Sequence, residues 1–293
     1  MAELAQYIIT GIAVGLIYSL IGLGFVLIFK STGVLNLAQG EIVAISAWVC
    51  YAMLVQFHLP IPLAFSMVLL IAIIMGWLLE RIALRPLIGQ PLLSQIGMTL
   101  AIMFILRGII LFTWPEATVS LSSIFPIEPL RLGSIAIAQE YIWGFTISLV
   151  AFALLSVYFK YSRGGITMRA IYNGQQSAKA CGGSVTSIFS RSWIFSCVTA
   201  AIGGFLLGSI ASVTFGLSNY ALKSLPVILL GGLDSFLGAA IAGPIIGLCE
   251  SLGVGYLDPH LTGASGVFPY VILILVMFIR PYGLLGQERI ERI

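Results

Sequence analysis

The run from Leu4 to Phe29 contains no charged side chain and is long enough to cross a lipid bilayer as a helix. About 20 apolar residues cover the roughly 30 Å hydrocarbon core of a bilayer. The run is longer than the apolar part of a secretory signal, and no basic residue precedes it. We therefore expect it to be the first membrane-spanning helix and not a cleaved leader.

Charged residues make up only 9% of the 293-residue chain, whereas apolar residues make up 59%. Soluble domains carry roughly 25% charged residues because they must cover a surface that faces water. A chain this poor in charge is expected to be an integral protein of the lipid bilayer. Its net charge of +3 is too small to indicate a nucleic-acid partner.

Apolar segments follow one another along the whole sequence, and no soluble domain separates them. We therefore expect a single transmembrane domain, 1–293. The segments that have the composition of single spans are 6–29, 35–57, 62–79, 95–113, 140–159, 192–216 and 267–280. One further apolar segment, 222–252, is too long for one upright helix and too short for two full spans.

The basic residues are unevenly distributed among the connecting segments, and this predicts the orientation. The connection 160–191 has no acidic residue and five basic ones, which are Lys160, Arg163, Arg169, Lys179 and Arg191. Basic residues also occur in 80–94 and in the tail from Arg280, whereas 114–140 is mainly acidic. Because cytoplasmic connections are enriched in Lys and Arg, we expect 114–140 and the N-terminus outside and the other three segments inside.

This orientation requires the segment 222–252 to begin and end on the outer side. Two half-helices, 222–231 and 236–252, would satisfy it if they turned at "GGLDS" near mid-membrane, where Asp234 or Ser235 would cap the second half-helix. Glu250 would then lie at the outer boundary. The alternative is one long helix kinked at the paired glycines, which would place the tail outside. The expected fold is all-α and polytopic, with about eight membrane-entering segments and this re-entrant pair.

A second interruption, "STGVLNLAQGE" at 31–41, separates the first two spans. Irregular backbone at membrane depth is stable only where it is buried in protein or lines a wet cavity, and broken helices in two halves of a transporter mark its pathway. For Glu41 the sequence leaves both interfacial placement and pathway lining open. The candidate pathway residues are Asn36, Gln39, Glu41, Gly231 and Gly232.

The stretch "ITMRAIYNGQQSAKACGG" at 166–183 stands out within the connection 160–191. Ile166, Ala170 and Ile171 are predicted to share one helical face, and Asn173 followed by glycine is typical of a helix end. A short, capped, basic segment suits docking into a cleft of another protein. A solvated loop of the positive-inside kind is the simpler interpretation of the same residues.

The sequence offers no catalytic residue and no metal site. "GASG" at 263–266 matches the nucleophile motif of intramembrane serine proteases, but His58 and His260 are both poorly placed to act as its base. The four cysteines form no C-x-x-C pair. No G-x-x-x-x-G-K-[ST] motif occurs, so ATP hydrolysis of the P-loop type would need a separate subunit.

Four motifs resemble one family in the correct order and spacing. They are "GLIYSLIGLGFVLIFKSTGVLNLAQGE" (15–41), "MRAIYNGQQSAKACGG" (168–183), "LPVILLGGLDSFLGAAIAGPIIGLCES" (225–251) and "FIRPYGLLG" (278–286). Together they resemble the permease subunits of ATP-binding-cassette importers for branched-chain amino acids, in particular the first of the two permease types. The resemblance covers the whole chain.

The resemblance implies that 160–191 is a cytoplasmic segment that couples the permease to its ATPase. The candidate coupling residues are Arg169, Ala170, Asn173, Ala178 and Gly182, of which all but Asn173 match the family pattern of Arg-Ala followed by Ala-x-x-x-Gly. The chain departs from the pattern at 174–176 and at Gly183, which bears on the detail of the docking and not on its location.

The resemblance also implies the partners and the cell compartment. We expect a second permease subunit, two ATP-binding-cassette ATPase subunits that hold ATP and Mg²⁺, and an external substrate-binding protein, in the cytoplasmic (inner) membrane of a prokaryote. The expected function is alternating-access import of branched-chain or related amino acids. The alternative is a stand-alone secondary transporter or channel for a small neutral or zwitterionic solute, although such carriers usually bury several ionisable groups in their spans.

Overall fold

The computed structural model describes residues 2–115, 118–121, 124–126, 128–132, 135–173 and 184–286. The helices are α1 Ala2–Thr32, α2 Gln39–Tyr51, α3 Ile61–Leu79, α4 Leu92–Thr113, α5 Gln139–Tyr161, α6 Arg163–Asn173, α7 Val185–Ala211, α8 Leu217–Leu222, α9 Ser224–Gly231, α10 Phe236–Leu252 and α11 Ala264–Ile279. The strands are β1 Thr118–Val119, β2 Leu130–Leu132, β3 Ile135–Ile137 and β4 Val213–Thr214. β1 pairs with β4 and β2 with β3, both antiparallel.

Within the described residues, six helical stretches are long and apolar enough to cross a membrane. They are Glu3–Thr32, Ile61–Leu87, Leu92–Thr113, Gln139–Tyr161, Val185–Ala211 and Phe236–Leu257. The all-α prediction is confirmed. The predicted number of eight membrane-entering segments is not reached by this criterion, because α2 and α11 are shorter than the other spanning helices.

The bundle has two central helices, α1 and α7, and peripheral helices around them. In the most apolar stretch of α1, 83% of the residues are buried, and in α7 72% are buried. The corresponding share is only 22% in each of α3, α4 and α5. An apolar helix that is exposed on most of its circumference suits contact with lipid chains. The sequence alone does not separate these two groups, because all are similarly apolar.

Small residues allow α1 and α10 to pack closely in antiparallel orientation. A Cβ added at Gly11 would lie 2.9 Å from the carbonyl oxygen of Gly247, and one at Gly15 would lie 2.8 Å from the Cα of Pro244. The Ser19 hydroxyl donates to the Ala239 carbonyl oxygen over 2.9 Å. Repeats of small residues four apart are a common way to bring two membrane helices into backbone contact.

The segment 222–252 folds as two helices and a turn, as predicted, but the second helix is not a half-helix, because Phe236–Leu257 is long and apolar enough to cross a membrane. α9 ends at Gly231 and α10 begins at Phe236. The predicted cap is also present, because the Ser235 side chain accepts a hydrogen bond from the Gly238 backbone N–H over 3.0 Å. A Cβ at Gly231 would lie only 2.7 Å from the backbone nitrogen of Ala239, so the two helices touch where the chain turns.

The depth of this turn differs from the prediction. Lys30, near the end of α1, donates from Nζ to the Asp234 carbonyl oxygen over 2.9 Å. The Leu284 N–H, in the tail after α11, donates to the Leu230 carbonyl oxygen over 2.7 Å. The turn therefore lies at the end of the bundle where α1 and α11 finish, not halfway along it. After α7 the chain turns back at Ser212, earlier than the predicted residue 222. The additional residues let it reach the end of the bundle before it turns again.

We call this end of the bundle the basic end. Lys30, Lys160 and Arg169 line one cleft there, together with Asp234 of the hairpin turn. The helix α10 runs away from the basic end, and α11 returns toward it. The connection between them therefore lies at the opposite end. Two basic residues of the connection 160–191, Lys160 and Arg169, thus lie together at this end of the structure.

The serine of "GASG" has a structural role at that opposite end. The Ser265 hydroxyl donates to Asp258 Oδ2 over 2.7 Å, and the Ser265 N–H donates to Asp258 Oδ1 over 2.9 Å. These two hydrogen bonds hold the pKa of the Asp258 carboxyl below its ordinary value. The pair fixes the start of α11, and it explains the motif without protease chemistry.

Candidate functional site

The loop 33–38 enters the bundle after Gly33, which is exposed. Asn36 and Ala38 are 0% exposed. The loop runs back along α1, so that a Cβ added at Gly24 would collide with the side-chain amide of Gln39 and lie 2.6 Å from Thr199 Oγ1. Gly24 is eight residues before the end of α1, which is about 12 Å at 1.5 Å per residue. The helix α2 therefore begins inside the protein.

Two amides fix the beginning of α2 against α7. Asn36 Nδ2 donates to Gln39 Oε1 over 3.0 Å, and Asn36 Oδ1 accepts from the Ala38 N–H over 3.1 Å. Gln39 Nε2 donates to the Ser196 carbonyl oxygen over 3.3 Å, and the Ser196 hydroxyl donates to Gln39 Oε1 over 2.9 Å. Buried polar groups need such partners. Both amides therefore hold irregular backbone in place, and pathway lining stays a prediction for them.

Glu41 lies in the first turn of α2 and is 4% exposed. The Ser218 side chain of α8 is a hydrogen-bond partner of its carboxyl group, and Arg107 of α4 is the nearby positive charge. A Cβ added at the preceding Gly40 would lie 2.9 Å from the Ser218 carbonyl oxygen. Glu41 therefore lies within the bundle, where the start of α2 meets α8, and both interfacial placement and pathway lining stay predictions for it.

The second predicted pathway element, Gly231 and Gly232, contacts a different part of the chain. Gly232 has φ +105°, and a Cβ there would lie 2.6 Å from the Cα of Gly286. The Leu285 N–H donates to the Gly231 carbonyl oxygen over 3.1 Å. The two interruptions of the sequence are thus both buried, but one packs on α8 and the other on the tail.

A helix is present in the predicted docking segment as α6, Arg163–Asn173, with a different buried face, and its docking role stays a prediction. Met168 and Ile171 are buried, at 2% and 1% exposure, and they share a face because they are three residues apart. Ile166 is 55% exposed, so the prediction that it shares a face with Ile171 is wrong. Five residues along an α-helix correspond to about 140° of rotation at 3.6 residues per turn.

Arg169 and Ala170 are exposed on the outer side of α6. Arg169 donates from Nη2 to the Lys160 carbonyl oxygen over 3.0 Å, which ties α6 to the end of α5. Asn173 is the last described residue of α6. The other two candidate coupling residues, Ala178 and Gly182, lie outside the described residues.

Residues 7–277 match the family model described as "Branched-chain amino acid transport system / permease component". The chain belongs to this family. The match confirms the resemblance carried by the four motifs, and the protein is a multi-pass membrane permease related to amino-acid transport proteins.

Curated relatives of the permease cover nearly its whole length. The high-affinity branched-chain amino acid transport system permease protein LivH of Escherichia coli K12 is 27% identical, over 98% of this chain and 97% of the relative. BraD of Pseudomonas aeruginosa, which has the same description, is 24% identical over the same shares. A probable LivH of Methanocaldococcus jannaschii is 29% identical over 92% of this chain and 88% of the relative.

One solved structure has a similar fold. PsaBC from Streptococcus pneumoniae in complex with a Fab superposes with a TM-score of 0.50, over 96% of this chain and 93% of that chain. The two sequences are 14% identical. At that level of identity the similarity concerns the fold of the permease alone.

Sequence reasoning missed one charged pair inside the permease. Lys223, between α8 and α9, forms an ion pair with Glu250 of α10, and their side chains are only 18% and 15% exposed. Lys223 Nζ also lies 4.7 Å from the centroid of the Tyr220 ring. For Glu250 the sequence predicted only a position at the outer boundary. The available signal was that 222–252 contains few charges, and that a lysine and a glutamate stand near its two ends.

Replacing Gly232 with alanine is expected to lower the melting temperature of the purified permease. The left-handed backbone alone costs an L-residue about 1–2 kcal/mol, and the new methyl group would also press on Gly286. Gly263 is the control for a glycine of positive φ without a neighbour: it has φ +84° and nothing within 4 Å of an added Cβ, although its ψ is 5° and that of Gly232 is 126°. Equal melting temperatures for Gly232→Ala and Gly263→Ala would show that contact with the tail contributes nothing.

Proposed function

We propose that this permease is the transmembrane subunit of an ATP-driven importer for branched-chain or related amino acids. The observation that carries the proposal is α6, a short cationic helix at the basic end that Met168 and Ile171 anchor to the bundle, with Arg169 exposed beside the end of α5. A helix of this kind gives a partner protein a rigid element to push or pull. The family membership supports the choice of substrate.

The other subunits of the transporter would be separate chains. The sequence has no P-loop motif, so two ATP-binding-cassette subunits would bind ATP and Mg²⁺. A second permease subunit would complete the pathway, and an external protein would deliver the substrate. The positive charge of the basic end supports placing that end in the cytoplasm. This orientation fits the inner membrane of a prokaryote.

The contacts of α6 suggest how movement would reach the pathway. Arg169 ties α6 to α5, and Lys30 ties the end of α1 to the turn between α9 and α10. Closure of the ATPase dimer would displace α6, and the rigid α1–α10 pair would transmit the displacement to the hairpin. Packed helices move as discrete units and not by continuous deformation, which is what alternating access requires.

Glu41 would contribute to the pathway at the buried start of α2. A carboxylate at this depth can attract the ammonium group of a zwitterionic amino acid. Asn36 and Gln39 would hold the loop that presents it, and Gly231 with Gly232 would provide the bend at which the hairpin moves.

Copurification tests the subunit assignment. The tagged permease, extracted from its native membrane in mild detergent, should carry a P-loop ATPase and a second permease chain. Liposomes containing that complex should take up labelled leucine only with ATP inside and the binding protein outside. Leucine uptake by the permease alone, without ATP, would establish the stand-alone transporter instead.

The substitution Arg169→Glu tests the coupling role of α6. Reversing a charge at a protein interface typically costs 2 kcal/mol or more, so substrate-stimulated ATP hydrolysis and uptake should fall about 30-fold. Arg131→Glu is the control, because it makes the same charge change in β2, outside the basic end. Normal stimulation in the Arg169 variant would contradict the docking role.

A further inference from the structure

A cleft of about 310 Å³ opens at the basic end, between the ends of α1 and α5, the helix α6 and the start of α10. Three basic side chains and one acidic side chain line it: Lys30, Lys160, Arg169 and Asp234. Lys30 bonds to the backbone carbonyl of Asp234 and also lies 5.0 Å from the centroid of the Phe236 ring. The cleft therefore carries an excess of positive charge beside the ends of membrane-spanning helices.

Two further features supply hydrogen-bond donors to an anion. Ser156 lines the cleft, and its buried hydroxyl has no hydrogen-bond partner among the described residues. Phe236 and Leu237, the first residues of α10, line it as well. The first N–H groups of an α-helix have no acceptor within the helix, and they favour phosphate. The Ser235 side chain accepts from the later Gly238 N–H over 3.0 Å, so the cap that Ser235 forms lies beyond Phe236 and Leu237.

The helices that flank the cleft are apolar and exposed beyond it. Leu154 and Val157 of α5 are 66% and 56% exposed, and Leu237 and Ile241 of α10 are 69% and 51% exposed. Such residues suit contact with hydrocarbon chains. A ligand that combines an anionic group in the cleft with acyl chains along α5 and α10 would match both surfaces.

We propose that this cleft binds the phosphate of an anionic phospholipid from the cytoplasmic leaflet. Lys160, Arg169 and Lys30 neutralise the headgroup, the Ser156 hydroxyl and the first amides of α10 donate to its phosphate oxygens, and the acyl chains lie on the exposed faces of α5 and α10. Basic pockets between membrane helices on the cytoplasmic side are suited to such headgroups. Because Arg169 belongs to α6, the bound lipid links the docking helix to the α9–α10 hairpin.

Native mass spectrometry of the detergent-purified permease tests this directly. The probes are phosphatidylglycerol and phosphatidylcholine with identical acyl chains. Phosphatidylglycerol should be retained preferentially, and each cation removed should weaken its retention about fivefold. Lys160→Gln combined with Arg169→Gln should therefore weaken it about 25-fold. Ser156→Ala, which keeps every charge, should weaken it as well.

The control variant combines Arg163→Gln with Arg191→Gln, which removes two cations that do not line the cleft. An equal loss of lipid in this control would reduce the effect to general surface charge and overturn the proposal. Equal retention of the two lipids would also overturn it. Displacement of phosphatidylglycerol by millimolar inorganic phosphate would assign the cleft to a free anion.

A protein occupant is the remaining outcome. If Lys160→Gln with Arg169→Gln leaves lipid retention unchanged but abolishes copurification of the ATPase, the cleft receives an acidic side chain of that partner and the lipid proposal fails. The lipid measurement needs no transport activity, so its result does not depend on whether the proposed import function is correct.

Discussion

Replacing Gly243 with valine is expected to prevent the permease from forming its central helix pair. An added Cβ would lie 2.9 Å from Ser19 Cβ and closer still to the Ser19 hydroxyl and the Gly15 carbonyl oxygen. Overpacking a core commonly costs 1–3 kcal/mol, and here the opposing atoms include backbone that cannot rotate away. We expect a loss of about 3 kcal/mol or more, seen as aggregated protein in size-exclusion chromatography and a strongly lowered melting temperature.

The matched control is Gly97→Val in the peripheral helix α4. A Cβ at Gly97 meets nothing within 4 Å, and the substitution makes the same chemical change within an apolar helix. This variant should be purified in normal yield. If Gly243→Val behaved in the same way, close contact between α1 and α10 would not be what holds the bundle together.

Removing one partner of the Lys223–Glu250 ion pair is expected to have the second large effect. Lys223→Met would leave the Glu250 carboxylate mostly buried without its counter-ion, and such a change typically costs about 3 kcal/mol or more. Replacing both partners by apolar residues is often neutral, because no charge is then left unpaired. The double variant Lys223→Met with Glu250→Leu should therefore recover most of the lost stability.

Thermal unfolding of the two single variants and the double variant in one detergent gives the coupling between the residues. Arg163→Met is the control for loss of a basic side chain, because Arg163 is exposed, does not line the cleft and forms no ion pair with another described residue. Purely additive losses in the double variant would mean that the ion pair contributes no coupling energy.

The two helices and the turn of the hairpin could be predicted from the sequence, but the depth of the turn could not. The excess length of 222–252 and the paired glycines predicted two helices and a turn, and the Ser235 cap followed from its position before an apolar run. Its depth could not be predicted, because it depends on contacts of Lys30 and of the tail with the turn. Those partners are about 50 to 200 residues away along the chain, and no local pattern reports them.

At the candidate pathway, the loop 31–41 was likewise predicted as an interruption, but its contacts were not. Its glycines and amides predicted an interruption, and the structure buries it. The roles of Asn36 and Gln39 depend on Ser196 of α7, 157 residues beyond Gln39. In α6 the helix was predictable, but its buried face was not, since Ile166 and Ala170 turn outward while Met168 and Ile171 meet the bundle.

The sequence by itself determined that this protein lies in a bilayer, where its chain interrupts its helices, and to which family it belongs. These properties follow from local composition, because burying a charge in lipid is costly wherever the residue stands. The tertiary structure alone decided which apolar helices are central, how deep the hairpin turns and which charges pair. Lipid and protein interior are equally apolar, so hydrophobicity does not determine which helices are central and which face lipid. Close backbone contact through residues such as Gly15 and Gly243 determines it.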